Sequence, residues 1–272
     1  MPNHYHQTIK EFYDSLAETE WNRLEWHKME FAVYWRIMEE IIPPGSTILD
    51  CGGGPGRYSF QLAKAGHQVT LFDLSAASIT LAKQKSVELG ISLAGFHQGN
   101  ALDLSRFAAD SFDTVLLMGP MYHLLELSER RQAVREAVRV LKPGGLLLVT
   151  FVTRYAFLLY LLKDDPAQIA AYPPRLIDQL LTDGINLVSE ENPGFTHAYF
   201  AHPMEISPFM AENGLVQLRL TAVEPLISFL EDSVNHLPRE SFTLWADLTY
   251  RLGTDPITWG NSEHMLYVGS KV

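Results

Sequence analysis

Thr47-Ile48-Leu49-Asp50-Cys51-Gly52-Gly53-Gly54-Pro55-Gly56 opens the stretch on which the fold turns; Arg57-Tyr58-Ser59-Phe60-Gln61-Leu62-Ala63-Lys64-Ala65-Gly66 and Val69-Thr70-Leu71-Phe72-Asp73 complete it. An apolar, partly β-branched run enters a glycine-rich turn. A helical stretch follows, and a second apolar run stops at an acid. That order, strand, tight loop, helix, strand, is the unit of a doubly wound α/β sheet. Gly52, Gly54 and Gly56 permit backbone angles and close ligand approach that a Cβ would forbid. Asp73 falls at the carboxyl end of the second strand, where a carboxylate can accept hydrogen bonds from both hydroxyls of a ribose.

The dinucleotide fingerprint G-x-G-x-x-G fails here. Counted from Gly52 its third glycine falls on Arg57, and counted from Gly54 on Ser59. What fits is acid-x-Gly-x-Gly-x-Gly, Asp50 to Gly56, which resembles the first motif of class I S-adenosylmethionine (SAM) dependent methyltransferases. SAM has no pyrophosphate, so a helix N-terminus aimed at phosphates is not required. In that family the loop wraps the methionine portion of the cofactor.

Further matches come in order along the chain. Phe96-His97-Gln98-Gly99-Asn100-Ala101 reads as the third strand and its exit. The family usually carries an acid where Asn100 stands, accepting from the adenine amine, while the next main-chain amide meets a ring nitrogen. Asn100 could accept through its side-chain oxygen, and Leu102 would pack on the ring. Ser111 to Met118 is a continuous apolar run, the fourth strand, as expected when both sheet faces are covered. Its exit, Gly119-Pro120-Met121-Tyr122-His123-Leu124, resembles a stretch of the type 11 group of SAM methyltransferases. Lys142-Pro143-Gly144-Gly145 reads as a turn into a buried strand, and Leu-Lys-Pro-Gly-Gly recurs throughout the class. The five matches cover roughly 47–152.

The resemblance implies a mostly parallel seven-stranded sheet, closed by an antiparallel hairpin, with SAM as donor and S-adenosylhomocysteine (SAH) as product. It implies cofactor contacts from Tyr13, Asp50, Gly52, Gly54, Gly56, Asp73, Leu74, Asn100, Ala101, Leu102, Met118 and Gly119. Tyr13 enters because Phe12-Tyr13-Asp14 resembles the Tyr-Asp helix whose tyrosine covers the cofactor in many small-molecule methyltransferases.

Around this core, residues 1–45 read as two amphipathic helices, with Ile9, Phe12, Tyr13 and Leu16 in one and Phe31, Tyr34, Ile37 and Met38 in the other. They form an expected lid. Arg23, His27 and Glu30 lie within it, either at the site or as surface charge. Residues 153–195 carry two short helical stretches and a turn at 190–194, an expected cap insertion. Residues 196–272 return to the core, which comprises 46–152 and 196–272. Arg130, Arg131, Arg135 and Arg139 space themselves as a solvated helix face.

Composition narrows the partners. A net charge of −11 gives no broad basic surface for phosphates. A small-molecule acceptor is therefore expected, reacting at O, N or C, with nucleic acid unlikely. A tRNA or protein methyltransferase, a non-catalytic SAM-binding protein and a nicotinamide oxidoreductase are the alternatives. The single cysteine, Cys51, forms no intramolecular disulfide. No signal peptide or bilayer-length apolar run is visible, so a cytoplasmic monomer or homodimer is expected. His4 and His6 lack companions at metal-ligand spacing. His123, just past the fourth strand, is the candidate general base, a neutral imidazole at the site edge.

Overall fold

The computed structural model describes residues 4–189, 192 and 195–272. The expected turn at 190–194 lies, Asn192 apart, outside them. Three helices come first: α1 (His4–Ser15), α2 (Ala17–Trp26) and α3 (Lys28–Ile41). The core follows as β1 (Thr47–Cys51), α4 (Arg57–Lys64), β2 (Gln68–Asp73), α5 (Ala76–Leu89), β3 (Gly95–Gln98), β4 (Phe112–Leu117), α6 (Leu127–Val140) and β5 (Leu141–Val152). Beyond it lie α7 (Ala156–Asp164), α8 (Pro174–Asp183), β6 (Ile185–Asn186), β7 (Ala198–Tyr199) and α9 (Pro203–Glu212). The chain closes with β8 (Leu215–Ala222), α10 (Glu231–Asn235), α11 (Arg239–Leu252) and β9 (His264–Lys271).

Among the described residues, seven strands form one sheet in the order β3-β2-β1-β4-β5-β9-β8. The first five are parallel; β9 runs antiparallel between β5 and β8. Alternation along the strands explains why their apolar runs are unbroken. Ile48, Leu116 and Leu148 face a layer holding Met29, Val33 and Ile37 of α3. Leu49, Val115 and Leu147 face the opposite layer, with Ala133 and Ala137 of α6 and Met210 of α9. Each side chain loses its water, worth roughly 1.5–3 kcal/mol for a fully buried Leu, Ile or Val. The strand order reverses between β1 and β4, so the carboxyl ends there splay apart and leave a crevice.

Local chemistry sets the ends of the elements. The Ser75 hydroxyl accepts from the Ser78 amide at 3.0 Å and caps α5, which Gly90 ends in the left-handed conformation. The expected Pro-Gly-Gly turn is instead absorbed into β5. Register passes from Phe112 opposite Leu141 to Thr114 opposite Leu146, so Lys142–Gly145 form an irregular bulge, with Gly144 at φ +73°. The amino-terminal segment has three helices rather than two, because Ala17–Trp26 is separately helical and buries Ala17 and Leu24.

The arginines of α6 are not uniformly a solvated face. Arg135 is exposed, but Arg130 is only 7% exposed. Arg130 donates to the carbonyls of Leu124 and Leu125, both at 2.7 Å, and its guanidinium lies 3.5 Å over the Tyr199 ring. The segment after the β4 exit supplies bare carbonyls that only a long, multiply donating side chain reaches.

Candidate active site

A cavity of about 290 Å³ lies at the carboxyl edge of the parallel strands. Its floor comes from the loops after β1, β2, β3 and β4. Its roof comes from Ile9 and Tyr13 of α1, Leu24 of α2 and Tyr34 of α3, and Phe195 closes one side. Backbone meets backbone where the β1 loop passes the β4 exit. A Cβ on Gly119 would sit 2.5 Å from the Gly52 carbonyl oxygen, and one on Gly52 the same distance from the Pro120 ring. Two glycines in contact are what allow the strands' exits to close the crevice floor.

Asp73 organises the end of the cavity beside the β1 loop. One carboxylate oxygen accepts from the Gly54 amide at 2.7 Å and the other from the Ser75 amide at 2.8 Å. Ionised, it keeps unused lone pairs facing the cavity. Asp50 lies beside it, its carboxylate accepting from the Ser59 hydroxyl at 2.6 Å. Burial pushes both acids up to about 6, against the lowering effect of those hydrogen bonds.

Of the expected cofactor residues, Tyr13, Asp50, Gly52, Gly54, Asp73, Leu74, Asn100, Ala101, Met118 and Gly119 all line this one cavity. Gly56 and Leu102 stand off it. Gly56 serves the turn instead, at φ +91° as the residue before α4. Leu102 packs, half-buried, against the core layer under α6. Asn100 is already partly committed: its side-chain oxygen accepts from the Leu102 amide at 3.0 Å. Its amide group remains the free donor for a ligand.

The helical roof is pinned at several points. Asp14 accepts from the Ser75 hydroxyl at 2.7 Å and the Ala77 amide at 3.2 Å, tying α1 to the start of α5. Lys10 pairs with the same carboxylate. The Tyr13 hydroxyl meets His123 Nε2 at 2.7 Å, and His123 Nδ1 faces the His197 carbonyl at 3.4 Å. This arrangement fits a neutral ring with its proton on Nδ1 and Nε2 accepting from Tyr13. Burial pushes His123 down to about 4.

Arg23, His27 and Glu30, an open choice in the sequence, divide in the structure. Glu30 is 3% exposed and chelated by Arg23, with contacts of 2.7 and 2.6 Å. Burial would raise this acid, but Arg23 overrides it and holds it at about 2. His27 turns away to Glu231 of α10, at 2.9 and 3.0 Å. His264, at the start of β9, also lines the cavity and pairs with buried Glu224 at 2.7 Å. Its imidazole is pushed up to about 9: burial lowers it, but the neighbouring Glu224 and Glu30 prevail. Among the described residues, Glu30, Glu224 and His264 also form a group able to converge on a cation. Their charges are already matched by Arg23 and by the imidazolium.

Arg23 and Glu30, expected either at the site or on the surface, line the cavity, and His27 does not. Glu20, Tyr58, Thr150 and His264 line it too and were not singled out, since the positions of their elements relative to the glycine loop are fixed only by the fold.

Residues 48–145 match the family model described as a methyltransferase domain. A ubiquinone biosynthesis O-methyltransferase of Xanthomonas axonopodis pv. citri (strain 306) is 26% identical over 219 residues, 78% of this chain and 82% of that one. The tRNA 5-carboxymethoxyuridine methyltransferase of Escherichia coli (strain K12) is 32% identical over 135 residues, 47% of this chain and 50% of the other. Among solved structures, a SAM-dependent methyltransferase from Methanosarcina mazei superposes with a TM-score of 0.61 at 19% identity, over 87% of this chain and 97% of that one. At that identity the likeness speaks to the fold. Residues 48–145 thus carry a methyltransferase domain, on a sheet and a glycine loop shared in fold with SAM-dependent methyltransferases.

Proposed function

We propose that the chain methylates a small molecule held inside the 290 Å³ cavity, beneath residues 1–45 as lid and beside residues 153–195 as cap. The observation that carries this reading is enclosure. Three helices roof the site; Ile9, Tyr13, Leu24 and Tyr34 line it beside Lys10 and Arg23, two cations paired with Asp14 and Glu30 rather than set out as a basic track. Macromolecular acceptors need an open approach and, for nucleic acid, phosphate-binding cations.

SAM supplies an electrophilic methyl on a sulfonium. The chain's own part is orientation and exclusion of water, which together supply much of the rate in a displacement of this kind. Asp73 would hold the ribose through its remaining lone pairs, and the Ala101 amide and Asn100 would address the base. Gly52, Met118 and Gly119 would border the methionine end. For His123 we favour a positioning role over that of base. Its Nε2 is engaged by Tyr13, and burial makes it a weak proton acceptor. It holds Tyr13, and through it α1, over the site.

Calorimetric titration with SAM, SAH, NADH and NADPH tests this cofactor assignment, and an acceptor screen follows. Saturable binding of the two adenosyl ligands alone is expected. Binding of a nicotinamide cofactor would overturn the reading of the glycine loop.

A further inference from the structure

Aromatic rings gather in one wall of the cavity, and they come from three separate parts of the chain. Helix α1 brings Phe12 and Tyr13, the tight turn Met121–His123 after β4 brings Tyr122 and His123, and the segment between β6 and β7 brings Phe195. Tyr13, Tyr122, His123 and Phe195 all line the cavity. Their rings are in contact. The His123 ring centre lies 5.2 Å from that of Tyr13, 4.4 Å from Tyr122 and 5.8 Å from Phe195. Phe195 stands 6.4 Å from Tyr122 and meets Phe12 edge to face at 6.0 Å. These separations are those of interacting rings. In a closed core such a group would be buried throughout, but here one member is not: Phe195 is 42% exposed. An aromatic face left against water in a cavity wall favours whatever apolar surface can cover it.

The place of these rings says which molecule that is. Tyr122 and His123 follow Gly119 by three and four residues, so the aromatic wall starts where the methionine end of SAM is placed above. The groups proposed for the ribose and the base, Asp73 and Asn100, belong instead to the exits of β2 and β3. A ligand on the rings is therefore the acceptor rather than the nucleoside. Ring contacts of this kind reward a planar aromatic partner, whose electropositive rim seeks an electron-rich face. A saturated ring brings apolar area but no such match.

We propose that the methyl acceptor is a planar aromatic molecule seated against Tyr122, His123 and Phe195, with the exposed ring of Phe195 selecting it. The inference rests on the small-molecule reading above and names the class of molecule within it. It leaves Tyr13 and His123 in their mutual hydrogen bond of 2.7 Å, since ring contact uses faces and edges rather than polar atoms. Phe195 thus acts on specificity, from a segment remote in sequence from the glycine loop.

The test needs no identified substrate. Protein saturated with SAH is titrated with 2-naphthol and with its ring-saturated counterpart decahydro-2-naphthol, for wild type and Phe195→Leu. The saturated alcohol buries at least as much apolar surface, so a preference for naphthol reports the rings and not hydrophobic transfer. Wild type is expected to hold naphthol about tenfold or more tighter than the saturated alcohol. Phe195→Leu should lower the naphthol affinity about three- to tenfold, while those for decahydronaphthol and SAH stay within about twofold. Equal affinity of wild type for the two probes, or no binding of either, would overturn the proposal. So would an unchanged naphthol affinity in Phe195→Leu, or an equal loss of both probes there, which would make Phe195 a plain apolar wall. Failure of wild type to bind SAH at all is a different result, and would overturn the cofactor placement beneath this reading.

Discussion

Asp73 is the residue from which most of the site's chemistry can be reasoned. Both its oxygens already accept from backbone amides, and further lone pairs point into the cavity. Asp73→Asn keeps the shape but replaces an acceptor-only group by one that also donates. SAH affinity should fall by about tenfold or more, since a hydrogen bond to a charged acceptor contributes roughly 1.5–3 kcal/mol. The same residue sets a pH dependence. Burial pushes it up to about 6, with Asp14 adding to the effect. Asp50 titrates near the same value with Asp73 among its causes, and Glu20 also lies within its field. Protonation removes an acceptor, so the affinity for SAH is expected to decline as the pH falls from 8 through 6 to 5. Calorimetry across that range checks it, and Asp73→Asn should flatten the profile. An affinity that rises on acidification would show that the acids do not receive the ribose.

Among the elements, α1 and α6 make separate predictions. Asp14 joins α1 to the start of α5, the helix that follows Asp73, through the Ser75 hydroxyl and the Ala77 amide. Asp14→Ala should leave the sheet intact while loosening α1. Amide exchange in residues 4–15 should quicken, and global stability should change by only about 1 kcal/mol, the usual scale for one such anchor. Unchanged exchange would mean that Tyr13 and the apolar contacts hold the helix alone. Arg130 is the opposite case. Its side chain satisfies two carbonyls, covers the Tyr199 ring, and has almost no access to water. Arg130→Ala strands both carbonyls and leaves a void, so a loss of about 2–4 kcal/mol is expected by denaturant unfolding. Arg130→Lys should recover only part, because an ammonium cannot reproduce the planar fork. Reading this helix as a solvated face failed at Arg130 because periodicity reports only which residues share a side. It does not report what that side meets.

For the whole molecule, the charge of −11 and the helical roof act together. The E. coli tRNA methyltransferase to which half of this chain is similar makes the comparison worth testing. At about 0.15 M salt, where screening length is ~8 Å, this protein should not retard tRNA in a native gel, whatever the SAH concentration. Specific retardation there would move the acceptor from small molecule to RNA. No helix among the described residues is long and apolar enough to cross a membrane.

The core strands and their succession along the chain were legible because the signals that set them are local. An unbroken apolar run bounded by glycines makes a strand buried on both faces, and an acid at its end marks the carboxyl edge. Ser75 and Gly90 announce the ends of α5 by their own conformational preferences. Ten of the expected cofactor positions therefore converge on one cavity. Gly56 and Leu102 do not, since the turn and the core use them first. The amino-acid sequence by itself thus determined the fold class, the glycine loop and the acid at the carboxyl end of β2. Tertiary structure alone decided which charges are matched. Tyr13 meets His123 across 110 residues, His27 meets Glu231 across 204, and Arg23 is drawn to Glu30 at 2.6 Å while standing 3.7 Å from Glu20. Pairing energies depend on distance and burial. Neither is a property of sequence spacing once the chain has folded back on itself.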